Sequence, residues 1–440
     1  MCAAISIRLK FFGLIRASAA IAAAVLKPML QRHTRIMGLL LKVNDRVLAL
    51  PTAAQPIQKK KEVVSKRKCS EFRGETGVNL VGYINSESGV GEAARANIRA
   101  LECSGIHFAL NNLTSPSRQG DFTYTNIIQE NPYVFNLVHS NADAVTSFLN
   151  EKQINYLAGK YNIAFWYWEL SNFPSIWFDR FQYFHEIWVA SSFCQEAISR
   201  VSPIPVVKVP PSIVINSLKQ VDRPYFGIEK NAFAFLFIFD LFSYVERKNP
   251  FAVIDAFRRA FQGRDDVLLV LKFSNPEWNK EGRQQIAEAI KGLNVKLIDG
   301  YLDKDEVHAL MNLSDCYVSL HRSEGFGLPL AEAMYLGKPV IATGYSSNTD
   351  FMTVNNSFLV KYDLVKIEKD IGPYKKGNVW AEPDTGHAAE LMRLVFENRE
   401  LARRTGERAA ADIRKNLSPE ATGRVIKERL QRIMEEKGIS

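Results

Sequence analysis

The chain has 440 residues, 47% of them apolar and 23% charged, the balance of a globular protein long enough for two domains. Its net charge of +9 is unevenly placed. Residues 1–70 hold fourteen Lys/Arg against two Asp/Glu, a net of +12, which leaves the remainder at −3. A mildly acidic body gives no case for a nucleic-acid-binding core. The five cysteines (Cys2, Cys69, Cys103, Cys194, Cys316) are scattered, odd in number and without a C-x-x-C pair. That argues against a disulfide framework or a zinc site and for a reducing, cytoplasmic compartment.

The first segment, IRLKFFGLIRASAAIAAAVLKPMLQRHTRIMGLLLKV, has no acidic residue before Asp45. Its longest uncharged apolar stretch, Ala17 to Leu26, is about half of what a bilayer span needs. A signal-like segment and a helical extension packing elsewhere both fit. The reading carried forward is a basic amphipathic helix, residues 1–50, lying on an anionic membrane such as the inner face of the plasma membrane. Residues 51–70, with KKKEVVSKRK, read as a charged linker.

The body begins near Val78. VNLVGYI is a buried-strand pattern, and NSESGVGEAARANIRALECSGI is a glycine-containing loop entering a helix. Gly89-Val-Gly91-Glu-Ala-Ala matches G-x-G-x-x-A, the dinucleotide fingerprint. The NSES approach is longer than that turn, however. Asn111 and Asn112 also stand where a ribose-binding acid belongs. A loop lying against a ligand in an interdomain cleft fits better. YVFNLVH is a strand ending in His139-Ser-Asn141, and NIAFWYWEL is an aromatic strand ending near Glu169. FPSIWFDRFQYFHEIWVASSFCQEAI predicts helix, strand, helix, and VVKVPPSIV a last strand. Trp166, Trp168 and Trp177 suit either core packing or an acceptor groove.

A second α/β unit starts near Asn231. FAFLFIFD is a strand, LFSYVERKNP a polar loop and FAVIDAFRRAF an amphipathic helix. VLLVLKF, the helix through RQQIAEAIKGL, VKLIDGYL and the helix EVHALMNLSD follow. After the segment VNNSFLVKYDLVKIEKD and the loop GPYKKGNVWAEPD come long helices, the last capped by Ser418-Pro419. The expected architecture is α/β, with two Rossmann-like domains facing across a cleft and a basic N-terminal helical extension. The expected boundaries are 1–70 extension and linker, 71–225 first domain, 226–417 second domain and 418–440 C-terminal helix.

The stretch SEGFGLPLAEAMYLGKPVIAT carries the chemistry. CYVSL before it and PVIAT after it are buried-strand runs. Gly325 and Gly327 permit a tight turn, Pro329 suits the first helical position, and Gly337 suits the stop. The backbone N–H groups of Phe326, Gly327 and Leu328 then sit at a helix N-terminus, which attracts phosphate. Glu324 in the loop and Glu332 in the first turn would reach opposite ends of a ligand resting there. A carboxylate accepts hydrogen bonds from paired hydroxyls, so a sugar at each end, a nucleotide-sugar, fits. A βαβ turn with two solvated glutamates gives the same pattern without a ligand.

S-E-G-F-G-L-P-L-A-E-A resembles the E-x7-E signature of retaining GT-B glycosyltransferases of family 4, the glycosyl transferases group 1. GYLDKDEVHALMNLSDCYVSL before it and GKPVIAT after it support the likeness. GYINSESGVGEAARANIRAL and FWYWEL…FP look like a subgroup that makes bacterial surface polysaccharides, including lipopolysaccharide. The likeness spans about residues 78–430. It implies that Glu324 contacts donor-sugar hydroxyls and Glu332 the ribose diol. Phe326, Gly327 and Leu328 would supply backbone donors, and Lys248 would neutralise the diphosphate. The family's usual arginine about six residues earlier is Phe242 here, which makes Arg247 the candidate second cation. Gly89 and Gly91 match the N-domain glycine loop, and His139 resembles the histidine near the acceptor and donor carbon.

The implied activity is transfer of a hexosyl group, with retention, from a nucleotide-sugar to a saccharide or lipid-linked acceptor in cell-envelope synthesis. No metal or cofactor is expected, since Lys248 and the helix N-terminus can stabilise the departing nucleoside diphosphate. The resemblance implies front-face attack, with the leaving phosphate taking the acceptor proton. A covalent Glu324 intermediate is the alternative. The competing classes are a non-catalytic two-lobed nucleotide-sugar-binding protein, a nucleotide-sugar epimerase on the same scaffold, and a dehydrogenase.

Overall fold

The computed structural model describes residues 72–114 and 120–439. The expectations for residues 1–70 therefore lie outside the described residues.

The first lobe is built from apolar runs that bury both faces, as parallel strands must. In chain order it contains β1 (Glu75–Gly82), α1 (Gly89–Ser104), β2 (Phe108–Asn112), β3 (Tyr133–His139), α2 (Val145–Lys152), β4 (Tyr161–Trp166), β5 (Glu186–Val189), α3 (Ser192–Ser199) and β6 (Val206–Lys208). The parallel sheet has the order β2-β1-β3-β4-β5-β6. Ser88 caps α1 through the N–H of Gly91, and Gly105, in the left-handed conformation, ends it. A chain of buried asparagines crosses the sheet. Asn79 Nδ2 donates to Asn136 Oδ1 at 2.9 Å, and Asn136 Nδ2 to Asn162 Oδ1 at 2.8 Å. Paired amides satisfy one another where water cannot reach.

The predicted helix over FPSIWFDRFQYF is instead a run of 3₁₀ turns, Ser175–Tyr183. Phe181 is drawn onto Trp166 at 5.2 Å and Phe173 onto Trp177 at 5.6 Å. Packing of these bulky rings overrides the α-helical hydrogen-bond pattern. Trp166, Trp168 and Phe173 are buried in this cluster, so Trp166 and Trp168 are core, while Trp177 is partly buried at its edge.

The second lobe runs β7 (Phe233–Asp240), a one-turn helix α4 (Val245–Lys248), α5 (Pro250–Phe261), β8 (Val267–Ser274), α6 (Lys280–Ala289), β9 (Val295–Ile298), α7 (Lys304–Leu313), β10 (Cys316–Ser319), α8 (Leu328–Tyr335), β11 (Val340–Thr343) and β12 (Phe358–Val360). Its parallel sheet has the order β12-β11-β10-β7-β8-β9. An antiparallel pair follows, β13 (Tyr362–Lys366) with β14 (Val379–Pro383), then α9 (Thr385–Glu397), α10 (Arg399–Asn416) and α11 (Pro419–Lys437). The expected loop LFSYVERKNP thus contains a helical turn.

The last helix returns to the first lobe. Gly423 on α11 lies so close to the Ala100 carbonyl of α1 that a Cβ would collide with it. Arg429 of α11 donates from Nε and Nη2 to the fully buried Glu186 of β5, at 2.8 and 2.5 Å.

In each sheet the chain reverses its direction of travel once, and the loops on either side of that point diverge to leave a crevice at the carboxyl ends. In the first lobe the reversal lies between β1 and β3, whose last residues, Gly82 and His139, are paired. In the second it lies between β7 and β10. The loop after β7 carries Arg247 and Lys248, and the loop after β10 carries Glu324.

Candidate functional site

Glu324 stands at the second-lobe reversal point and is 9% exposed. Lys248 Nζ reaches its Oε1 at 2.5 Å and Arg247 Nη1 its Oε2 at 3.3 Å. Burial alone would raise the pKa of this carboxyl. The charges of Lys248 and Arg247, with His321 behind them, overcome burial and hold it at about 2. Lys248 is shifted below its ordinary value, because burial and Arg247 outweigh the pull of Glu324. Glu324 is held ionised by the two cations that face it. Arg247 also donates to the Ser323 carbonyl at 3.0 Å, so guanidinium and loop are locked together.

The backbone around this cluster is strained. Tyr244 (φ 64°) and Asn249 (φ 55°) bracket α4, and Ser346 (φ 70°) offers its Oγ to the Glu324 N–H at 2.9 Å. Left-handed backbone at non-glycine residues persists only where surroundings enforce it, and it concentrates at functional sites. Beneath the cluster, His321 bridges Ser319 Oγ (3.0 Å) and Asn348 Oδ1 (3.1 Å). Sequence reasoning missed His321 and Ser346, although His321 lies three residues before Glu324 in HRSE. A small void of about 10 Å³, room for about one water, lies among Lys248, Ser319, Glu324, Gly327 and Pro329.

The turn before α8 has Gly327 at φ 93°, a conformation that favours glycine. Helix α8 begins at Leu328 with no side-chain cap, and Pro329 is its second residue. The Phe326 ring is buried against Phe351, 5.1 Å between centroids. Glu332 falls in the second turn, half-buried, with Oε1 3.7 Å from His308 Nε2 of α7. Glu324 and Glu332 therefore address different neighbours, α4 and α7.

The first-lobe candidates divide. A Cβ at Gly91 would run into the Ser86 carbonyl, whereas at Gly89 nothing lies within 4 Å. Gly91 serves the loop's own packing, and Gly89 leaves open space. Asn112 Oδ1 accepts the Asn85 N–H at 3.0 Å, and Asn111 ties to the Ile128 carbonyl at 2.7 Å. These residues brace the loop. His139 is buried, stacked on Phe165 at 4.6 Å, and its Nε2 meets Asn97 Nδ2 at 3.0 Å. Burial depresses its pKa to about 3, so the imidazole is neutral at ordinary pH.

The loop after β7 departs from the cationic pattern at Phe242, which is 58% exposed and packs edge-on against Trp278 at 5.2 Å. Arg247, five residues on, is the cation beside Glu324 together with Lys248. The lobes also meet directly. Ser191 Oγ bonds Ser347 Oγ (2.8 Å), Lys304 Nζ bonds Glu92 (2.8 Å), and Tyr301 OH bonds Glu87 (2.9 Å). Among the described residues no group of three or more His, Cys, Asp or Glu is placed to hold a metal ion, and no helix is long and apolar enough to cross a membrane.

Residues 226–412 match the family profile Glycosyl transferases group 1. Among solved structures, the chain resembles Anabaena Alr3699/HepE, crystallised with UDP and glucose (TM-score 0.59, 15% identity, 81% of this chain and 100% of that one). It also resembles a glycosyltransferase from Rickettsia africae ESF-5 (0.56, 15%, 82% and 99%). A third is sucrose-phosphate synthase from Thermosynechococcus elongatus (0.60, 14%, 82% and 100%). No curated protein matches it in sequence.

Proposed function

We propose that this chain, a glycosyltransferase of the GT-B fold with a glycosyl transferases group 1 segment at residues 226–412, moves a hexosyl group with retention from a nucleotide-sugar to a saccharide or lipid-linked acceptor in cell-envelope polysaccharide synthesis. The observation that carries this reading is the pairing of Glu324 with both Lys248 and Arg247 at the β7/β10 reversal point. Two cations beside an uncapped helix N-terminus form a site for a diphosphate.

In this reading the diphosphate takes Lys248 and Arg247 and rests on the N–H groups of Phe326, Gly327 and Leu328. Glu324, released from Lys248, accepts hydroxyls of the donor sugar, and Glu332 accepts the ribose diol. As the glycosidic bond to phosphate breaks, charge grows on the leaving oxygen. Fixed cations and backbone dipoles stabilise it without reorganisation. The acceptor hydroxyl attacks from the same face and its proton passes to the departing phosphate. Gly89 leaves room for the ligand on the first-lobe wall, and neutral His139 lies under it. The basic residues 1–50 would hold the enzyme on the cytoplasmic face of an anionic membrane.

The test is calorimetry with UDP, ADP and GDP, paired with turnover of the corresponding glucose conjugates. Lys248→Ala should raise the dissociation constant of the bound nucleotide by about 10- to 150-fold, the worth of one charge-assisted phosphate contact. Wild-type affinity in that variant would remove Lys248 from the donor site. Binding without turnover of any donor would favour the non-catalytic reading.

A further inference from the structure

The segment Tyr167–Glu169 forms the first-lobe wall opposite Glu324, and every residue in it is fixed. The Tyr167 N–H donates to Asn141 Oδ1 at 2.9 Å, and Cys194 Sγ donates to the Trp168 carbonyl at 3.0 Å. Ser323 Oγ of the second lobe donates to the Glu169 carbonyl. A Cβ at Gly325 would lie 3.3 Å from Tyr167 Cβ and 3.7 Å from Glu169 Cγ, so both side chains flank the residue next to Glu324.

Each of these side chains has unused hydrogen-bonding capacity. The Tyr167 hydroxyl is inaccessible to water and has no partner among the described residues. Glu169 is half-buried, and its Oε2 accepts the Tyr374 hydroxyl at 3.2 Å. No hydrogen bond reaches its Oε1 among the described residues. Tyr374 is held in turn. It is 3% exposed, sits in the aromatic cluster of the first lobe, and reaches there from the loop between β13 and β14. A second-lobe loop thus aims a first-lobe carboxylate.

We propose that Glu169, aligned by Tyr374, binds the hydroxyls of a pyranoside acceptor. The inference rests on the glycosyltransferase reading above and adds the acceptor side to it. A carboxylate oxygen accepts from a sugar hydroxyl. The wall carrying Glu169 faces the residue that would touch the donor sugar, so an acceptor held there lies next to the reacting carbon. Glu169 is an acceptor-binding residue in this scheme and takes no proton. Tyr374 is a positioning residue.

The experiment uses the full chain with UDP-, ADP- and GDP-glucose as donor probes, water and octyl glucoside or galactoside as acceptors, and the variants Glu169→Gln, Glu169→Asp and Tyr374→Phe. Nucleoside diphosphate affinity and donor hydrolysis should stay within about twofold of wild type. The acceptor KM should rise about tenfold or more in Glu169→Gln, rise less in Tyr374→Phe, and recover partly in Glu169→Asp. An unchanged acceptor KM in Glu169→Gln overturns the proposal. So does a loss that falls equally on nucleotide binding. A wild type that hydrolyses donor but glycosylates neither glycoside overturns the pyranoside assignment. A wild type that neither binds a nucleoside diphosphate nor consumes any donor fails the parent reading instead.

Discussion

At the residue scale, the two glutamates should fail differently. Glu332→Gln should weaken nucleoside diphosphate and nucleotide-sugar alike, because ribose is common to both. Glu324→Gln should bind nucleoside diphosphate at least as tightly as wild type, since it frees Lys248 and Arg247, and should slow transfer by about 10- to 150-fold, one charged hydrogen bond used in the transition state. Calorimetry and transfer rates on each variant separate the two, and identical profiles would contradict grip at opposite ends. The acid side is also set by single residues. His139 has a folded pKa of about 3 against 6.5 when unperturbed, and Glu324 about 2 against 4.5. Both are depressed, so their stabilisation is complete above the unfolded value and lost as pH falls through the folded one. Denaturant midpoints should therefore begin to fall below about pH 6.5, with a second decline from about pH 4.5 toward 2. His139→Gln, if it folds, should flatten the first of these declines. An unchanged slope between pH 6.5 and 4 would assign it to other groups.

At the scale of elements, α11 decides whether the lobes behave as one body. Gly423 admits the Ala100 carbonyl of α1 only because it lacks a Cβ. Gly423→Ala should force α11 outward and destabilise the chain by about 1–3 kcal/mol, as overpacking does. Arg429→Met should be more damaging. It leaves Glu186, which is 0% exposed and also takes the Trp188 indole N–H at 2.7 Å, without its cation. Removing one partner of a buried pair typically costs about 3–5 kcal/mol. Thermal melts of both variants check this. Equal melting temperatures for Arg429→Met and wild type would mean that α11 is not clamped through Glu186.

For the whole molecule, the separation of charge between residues 1–70 and the body sets the expectation. A chain starting at Cys69 should fold and keep nucleoside diphosphate binding. Phe72 is retained in it and packs against Tyr161 and His185. A start at Gly74 would discard that contact. The shortened chain should lose binding to anionic vesicles, and salt should weaken the binding of the full chain, since exposed charge is screened. Equal vesicle binding by the two chains would remove the membrane role of residues 1–50.

The sequence by itself determined the alternation of apolar runs and amphipathic helices, and hence two parallel-sheet lobes. It also determined the glycine turn with a glutamate on either side, because Gly325, Gly327, Pro329 and Gly337 act through local backbone preference. Three features required the tertiary structure. Strand order placed α4 beside the loop after β10, bringing together Lys248 and Glu324, 76 residues apart in the chain. Ring packing turned the stretch Ser175–Tyr183 into 3₁₀ turns and drew Phe181 into the core. The loop between β13 and β14 delivered Tyr374 to Glu169 across 205 residues. Periodicity and turn chemistry report what each residue does to its near neighbours. Which loops share a crevice depends on strand order and lobe contact, and no local pattern encodes either.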